Sequence, residues 1–224
     1  MNAPRTFLQQ IHSMLDRLEQ TQMEAIERAG ALCAEALLGG HHLYVSPMGT
    51  HSIATEITHR AGGFIDPTIL SEDAAELQAG DVVIIGTNAG FDASTVGLAL
   101  RCRNMGVHTI AITTVVFEQA ITSTDPSGKT LHEVAEICID QGGAVGDALL
   151  ELPGLDVPII PPSGVLCVTA VWLVFAAAAE RMIAAGKVPL VYQAIQMPGA
   201  IERNERFSEE ARRTGRGYGE PTPA

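Results

Sequence analysis

Val82, Val83, Ile84 and Ile85 form an unbroken apolar run between Gly80-Asp81 and the turn-forming residues 86–90. A short run bounded in this way predicts a strand buried on both faces. Ala93, Val96 and Leu100 then recur at helical spacing, so the loop between passes the chain straight to a helix beginning near Asp92. In open α/β sheets ligands bind at the carboxyl ends of strands, where free backbone N–H groups and the helix dipole favour polar or anionic groups. Residues 86–92 are therefore the first candidate ligand loop.

The same pattern recurs along the chain. Residues 6–38 place Phe7, Ile11, Met14, Leu18, Met23, Ile26, Cys33 and Leu37 on the spacing of an amphipathic helix, which Gly39-Gly40 ends. Its length exceeds what one sheet face needs and leaves surface for a partner subunit. Residues 41–45 predict the first strand, residues 46–50 a second strand-to-helix turn, and residues 51–61 a helix stopped by Gly62-Gly63. On that helix Glu56 and His59 would share a face. Residues 64–70 contain Pro67 and make at most an edge strand, and residues 71–77 suggest a capped helical turn. Strands are predicted at 107–113 and 135–140, with loop-like residues 114–129 between them. Residues 141–162, rich in Gly and Pro, predict a long functional or interfacial loop. Residues 163–186 form a helix apolar on all sides as far as Glu180, too short in its apolar part to span a bilayer and so a core or interface helix. Residues 190–195 suit helix or strand, residues 202–213 are heavily charged, and residues 214–224 have the composition of a frayed tail. The sum is an α/β fold, a three-layer αβα sandwich on a central, mainly parallel five-stranded sheet. It divides into a helical segment 1–40, a domain 41–200 and a charged tail 201–224.

Composition narrows the functions. The 14 basic and 26 acidic residues give a net charge of −12, the wrong sign for neutralising a nucleic-acid backbone. Aromatics at 4% provide little stacking surface. Cys33, Cys102, Cys138 and Cys167 are spread singly, without a paired metal or redox spacing, and a cytoplasmic location follows as the default. No redox-cofactor motif is present. The His41-His42 pair is a poor metal site, since neighbouring strand residues face opposite ways.

Strand, Ser/Thr/Gly turn and helix, repeated at residues 45–51 and 85–94, resemble the SIS (sugar isomerase) domain. Ser127 to Glu136, Gly146-Asp147-Ala148-Leu149, Arg60-Ala61-Gly62-Gly63 and Asn204-Glu205 are similar to a group of sugar isomerase domain-containing proteins related to phosphoheptose isomerase. The resemblance implies a five-stranded parallel sheet that binds a sugar or sugar phosphate, no nucleic acid and no membrane, in a homodimer or homotetramer. SIS domains also serve lyases and regulators.

Where such proteins carry Ser-x-Ser-Gly and a further hydroxyl or amide, this chain has Thr87, Ala89, Gly90 and Asp92. An ionised Asp92 beside a phosphate is unfavourable by about 1 kcal/mol or more. Aldose–ketose isomerisation needs a base next to the carbonyl and an acid to move a proton between the oxygens. The resemblance points to Glu56 as base, with His51 or His59 as proton donor. Arg60 stands where relatives have a second metal-ligating Glu, so no metal is expected. Thr50, Thr87, Asn88 and Gly90 would hold the polar or phosphate end, and Ser163 would face the ligand from its helix start. Asp92 is an N-cap or a hydroxyl acceptor. Lys129 and His132 begin a helix or supply a cation, and Asp147 braces a loop or meets the ligand. Two alternatives to an isomerase stand beside it: a sugar-binding sensor without turnover, and a lyase.

Overall fold

The structure, a computed structural model, describes residues 2–48 and 53–221. Helix α1 (Ala3–Leu38) leads to strand β1 (Leu43–Val45), helix α2 (Ile53–Ile57), β2 (Thr68–Ile69), β3 (Val82–Gly86) and α3 (Ala93–Met105). Then come β4 (His108–Thr113), α4 (Val115–Ala120), α5 (Leu131–Val134), β5 (Ile137–Asp140) and α6 (Ser163–Ala184). The chain closes with β6 (Val188–Pro189), α7 (Ala200–Thr214) and β7 (Tyr218–Gly219). Five strands pair in parallel in the order β2-β1-β3-β4-β5, giving the expected αβα sandwich.

All of β3 is buried because helices cover both of its faces. Val82 and Ile84 point into a core shared with α1, α2 and α6, whereas Val83 and Ile85 meet Val96, Ala99 and Cys102 of α3. The α6 helix is long and apolar enough, by composition, to cross a bilayer, yet Leu166, Ala170, Val174 and Ala178 are buried in the first of these cores. Its contact with α1 is close: a Cβ added to Gly30 would lie 2.5 Å from the Cβ of Ala177.

Four segments depart from expectation. The helix expected over residues 51–61 is described only from Ile53 and ends at Ile57. There the Thr58 hydroxyl takes the Ala54 carbonyl at 2.7 Å and His59 turns left-handed at φ 55°. Residues 71–77 form turns rather than a helix, with Ala74 at φ 49° and the Ser71 N–H donating to Glu76 Oε1 at 2.7 Å. Helix α4 lies inside the expected loop. Finally, part of the expected frayed tail is ordered: α7 is followed by β7, which pairs antiparallel with β6, and the Leu190 N–H donates to the Gly217 carbonyl at 2.8 Å.

Gly30→Ala separates two opposing effects. Helix propensity alone favours alanine by about 0.5–1 kcal/mol, but overpacking against a rigid Ala177 costs about 1–3 kcal/mol. Urea denaturation should therefore show net destabilisation of the variant, with an unchanged m-value.

Candidate functional site

From β1 the chain crosses to β2 on one side, and β3 pairs on the other, so the order reverses between β1 and β3. This switch point is where an open parallel sheet leaves a crevice at its carboxyl edge. The β1 loop begins with buried Ser46, whose Oγ accepts from the Met48 N–H at 3.1 Å. Its continuation holds Thr50 and His51, which lie outside the described residues.

On the β3 side, Gly86 brings the strand end against two helices, since a Cβ there would meet Ile53 of α2 at 2.6 Å and Cys167 of α6 at 2.9 Å. Thr87 is buried, with its Oγ accepting from the Ala89 N–H at 3.3 Å. Asn88 Nδ2 donates to Asp147 Oδ2 at 3.2 Å. The same Oδ2 accepts from Ser163 Oγ at 2.7 Å, and the Ser163 N–H donates to Asp147 Oδ1 at 3.3 Å. One carboxylate thus joins the β3 loop, the long 141–162 loop and the first residue of α6. Asp147 holds this position in a left-handed conformation, φ 51°, uncommon for a residue with a side chain. Gln141, from the same loop, donates through Nε2 to the Thr87 carbonyl at 3.1 Å and to Thr114 Oγ1 at 2.9 Å.

Asp92 is the N-cap of α3. Its Oδ1 accepts from the Thr95 N–H at 2.9 Å and from Ser94 Oγ, and its Oδ2 accepts from Thr95 Oγ1 at 2.7 Å. Burial works to raise its pKa, but these hydrogen bonds from Ser94 and Thr95 outweigh it and bring the carboxyl below its ordinary value. Both helices that start beside the β3 loop therefore carry a carboxylate of the chain's own at the amino end, where the helix dipole favours negative charge. A phosphate placed at either start would meet like charge. Hydroxyl groups suit this arrangement better.

Gly90 has a different task. Its N–H donates to Glu118 Oε1 at 3.1 Å, and a Cβ there would lie 2.3 Å from that of Leu131, so the glycine serves close packing and its amide is already engaged. Glu118 on α4 is buried and also accepts from Thr113 Oγ1 at 2.5 Å and from the His132 N–H at 3.1 Å, while its Oε2 lies 2.6 Å from His132 Nδ1. It ties the β3 loop, β4 and α5 together. His132 is thus spent on Glu118, and Lys129 is exposed at the turn before α5.

The expected Glu56–His59 pair does not share a helix face, because α2 ends between them. Glu56 is half-exposed and paired with Arg60, Oε1 to Nη2 at 3.0 Å. His59 instead packs its ring on Tyr192, centroids 5.8 Å apart, in a groove that also takes in His42, the residue before β1. It faces the amino end of β1, away from Asn88. His41 and His42 also part company, toward Asp81 and Asp66 respectively. Among the described residues, no group of three or more His, Cys, Asp or Glu is arranged to hold a metal ion. Burial raises the thiol pKa of Cys33 to about 12, with Asp66 adding to the rise, and that of Cys102 to about 11 against the opposing Arg101, so neither is a ready nucleophile.

The family model described as the SIS domain matches residues 6–73, which run from α1 through β2. A UPF0309 protein of Geobacillus kaustophilus is 26% identical over 231 aligned residues, covering 91% of this chain and 92% of the relative. Among solved structures, phosphoheptose isomerase from Neisseria gonorrhoeae superposes with a TM-score of 0.54 at 13% identity, covering 81% of this chain and 97% of that one. A Silicibacter pomeroyi protein named for a suspected phosphosugar isomerase activity gives a TM-score of 0.52 at 14% identity. That alignment covers 76% of this chain and 48% of that one, so this chain spans about half its length. At these identities the structural likeness establishes the fold.

Of the residues singled out by sequence, the fold gathers Thr87, Asn88 and Ser163 around the carboxyl end of β3, has Asp92 capping α3 and Gly90 in close packing, and separates His59. Glu118 and Gln141 gave no signal in the sequence, since their roles depend on contacts across the sheet. Asp92→Ala should cost about 1 kcal/mol at neutral pH, as N-cap losses do. Because the folded-state pKa is lowered, this contribution is complete above the ordinary Asp value and vanishes as pH falls through the folded-state value. Denaturation of wild type and variant at neutral and strongly acidic pH should show the two stabilities converging in acid.

Proposed function

We propose that this protein binds a sugar or sugar phosphate over the carboxyl ends of β1 and β3 and isomerises it between aldose and ketose forms through an enediol, as a cytoplasmic enzyme of carbohydrate metabolism. The observation that carries this reading is the Asp147 carboxylate held between Asn88 and Ser163 at the switch point of the parallel sheet. An acceptor-only carboxylate flanked by an amide and a hydroxyl is suited to orienting vicinal hydroxyls. The isomerase names of the structural neighbours support the class of reaction.

In this reading Asn88, Asp147 and Ser163 hold the hydroxyl-bearing carbons, with Thr87 shaping the floor. Thr50 and His51 serve in the continuation of the β1 loop, Thr50 toward a phosphate and His51 as proton donor. Glu56, on the helix that follows this loop, is the base. Its pair with Arg60 is solvent-exposed, so opening it costs at most about 1 kcal/mol. The proton moves from the carbon beside the carbonyl to the Glu56 carboxylate and returns to the neighbouring carbon, while His51 carries the proton between the two oxygens. The exposed amino-terminal half of α1, with Leu8 56% exposed, supports self-association into a dimer or tetramer.

The Glu56–Arg60 pair also favours a second reading, a sugar sensor in which that carboxylate never reaches substrate. Glu56→Gln separates the two. Assayed against paired aldoses and ketoses with and without phosphate, the isomerase reading predicts a loss of about 10²–10⁴-fold in kcat with affinity retained. Saturable sugar binding by the wild type with no conversion of any pair establishes the sensor instead.

A further inference from the structure

At the other end of β1 lies a groove of about 450 Å³ that the sugar site does not use, lined in part by His42, His59, Tyr192, Ser208, Arg212 and Arg216. It opens along α7 into a larger cleft of about 730 Å³ that shares His59, Tyr192, Ser208 and Arg212. Four of its side chains are basic in a chain of net charge −12. Asp66, the acid in the smaller groove, is already consumed: it is buried, its Oδ1 accepts from the Leu43 N–H at 2.8 Å and its Oδ2 lies 2.9 Å from His42 Nδ1. A carboxylate accepts only, so Nδ1 of His42 carries a proton and the ring is held in one orientation. Glu205 and Glu209 line the larger cleft further along α7.

Arg212 and Arg216 form no ion pair among the described residues. Their place is nevertheless fixed by the fold. Gly217, next to Arg216, packs so tightly on Asp66 that a Cβ there would lie 2.5 Å from the Asp66 Cβ, and its carbonyl accepts from the Leu190 N–H. His59 is locked in its left-handed conformation beside Tyr192, whose N–H donates to the Gly63 carbonyl at 3.0 Å and whose carbonyl accepts from the Gly62 N–H at 2.8 Å. Backbone strain of this kind persists where surrounding structure imposes it and concentrates at ligand sites.

We propose that this groove is an anion site for a small phosphate-bearing molecule, gripped by the Arg212 and Arg216 guanidiniums over a His59–Tyr192 floor, with His42 as a further donor. Guanidinium forks match phosphate oxygens two at a time; Arg216 lies over the Tyr218 ring, 5.9 Å from its centroid, and phosphate supplies the anionic partner that neither arginine has among the described residues. The site is separate from the one at Asn88, Asp147 and Ser163, where the chain's own carboxylates stand against phosphate.

Isothermal titration with inorganic phosphate, at ionic strength held constant with chloride, tests the assignment. Wild-type protein should bind phosphate saturably, and R212A/R216A should weaken that binding by about 10-fold or more. Both arginines are exposed, so the variant keeps its fold, which an unchanged thermal midpoint in chloride verifies. Absence of saturable binding by the wild type, or equal binding by the double variant, overturns the proposal. Neither result bears on sugar binding at the opposite end of β1.

Discussion

The Asp147 carboxylate is the constraint on which the arrangement of this site depends. It accepts from the β3 loop through Asn88 and from the first residue of α6 through Ser163, so one side chain sets the distance between the two walls of the crevice. Its left-handed backbone is a local cost of about 1–3 kcal/mol that the three hydrogen bonds and the dipole of a 22-residue helix offset. Gln141 anchors the same long loop one residue earlier in the loop after β3, by donating to the Thr87 carbonyl. The loop therefore has a reason to be long: it must reach back from β5 to β3 and then enter α6.

That arrangement bears on the ligand. Helix starts at the carboxyl edge of a parallel sheet are ready anion sites, and here α3 is capped by Asp92 and α6 faces Asp147. With both starts occupied by the chain's own negative charge, this edge suits groups that accept or donate hydrogen bonds without bringing further charge. Arg212 and Arg216, without an ion-pair partner among the described residues, stand instead on α7 and the turn after it, at the other end of β1.

Much of this was legible in the sequence, and the failures have physical causes. The uninterrupted Val82–Ile85 run between turn residues announced the central strand, and Asp92 two residues after Gly90 announced a cap, because both signals are local. The 3.6-residue period does not carry past Ile57 to His59, because the helix stops there and His59 turns left-handed. Helix α4 was missed because Val115, Val116 and Phe117 do not favour helix, and what anchors it is Glu118, held by partners from Gly90 to His132. The order of the carboxyl-terminal segment escaped for the same reason: α7 and β7 are polar, and their docking rests on pairing with β6 and packing of Gly217 on Asp66. Asp147 was visible as a residue but not as a hub, since its partners lie 59 and 16 positions away.

The most direct test of this account follows the Asn88 side-chain amide by ¹⁵N NMR while hexoses, and separately their phosphates, are titrated into the protein. If Asp147, Asn88 and Ser163 form the hydroxyl-recognising centre, that resonance shifts saturably with the neutral part of the ligand, with or without phosphate. A ligand that binds tightly and leaves the Asn88 amide unmoved would contradict the account and place sugar recognition elsewhere on the sheet.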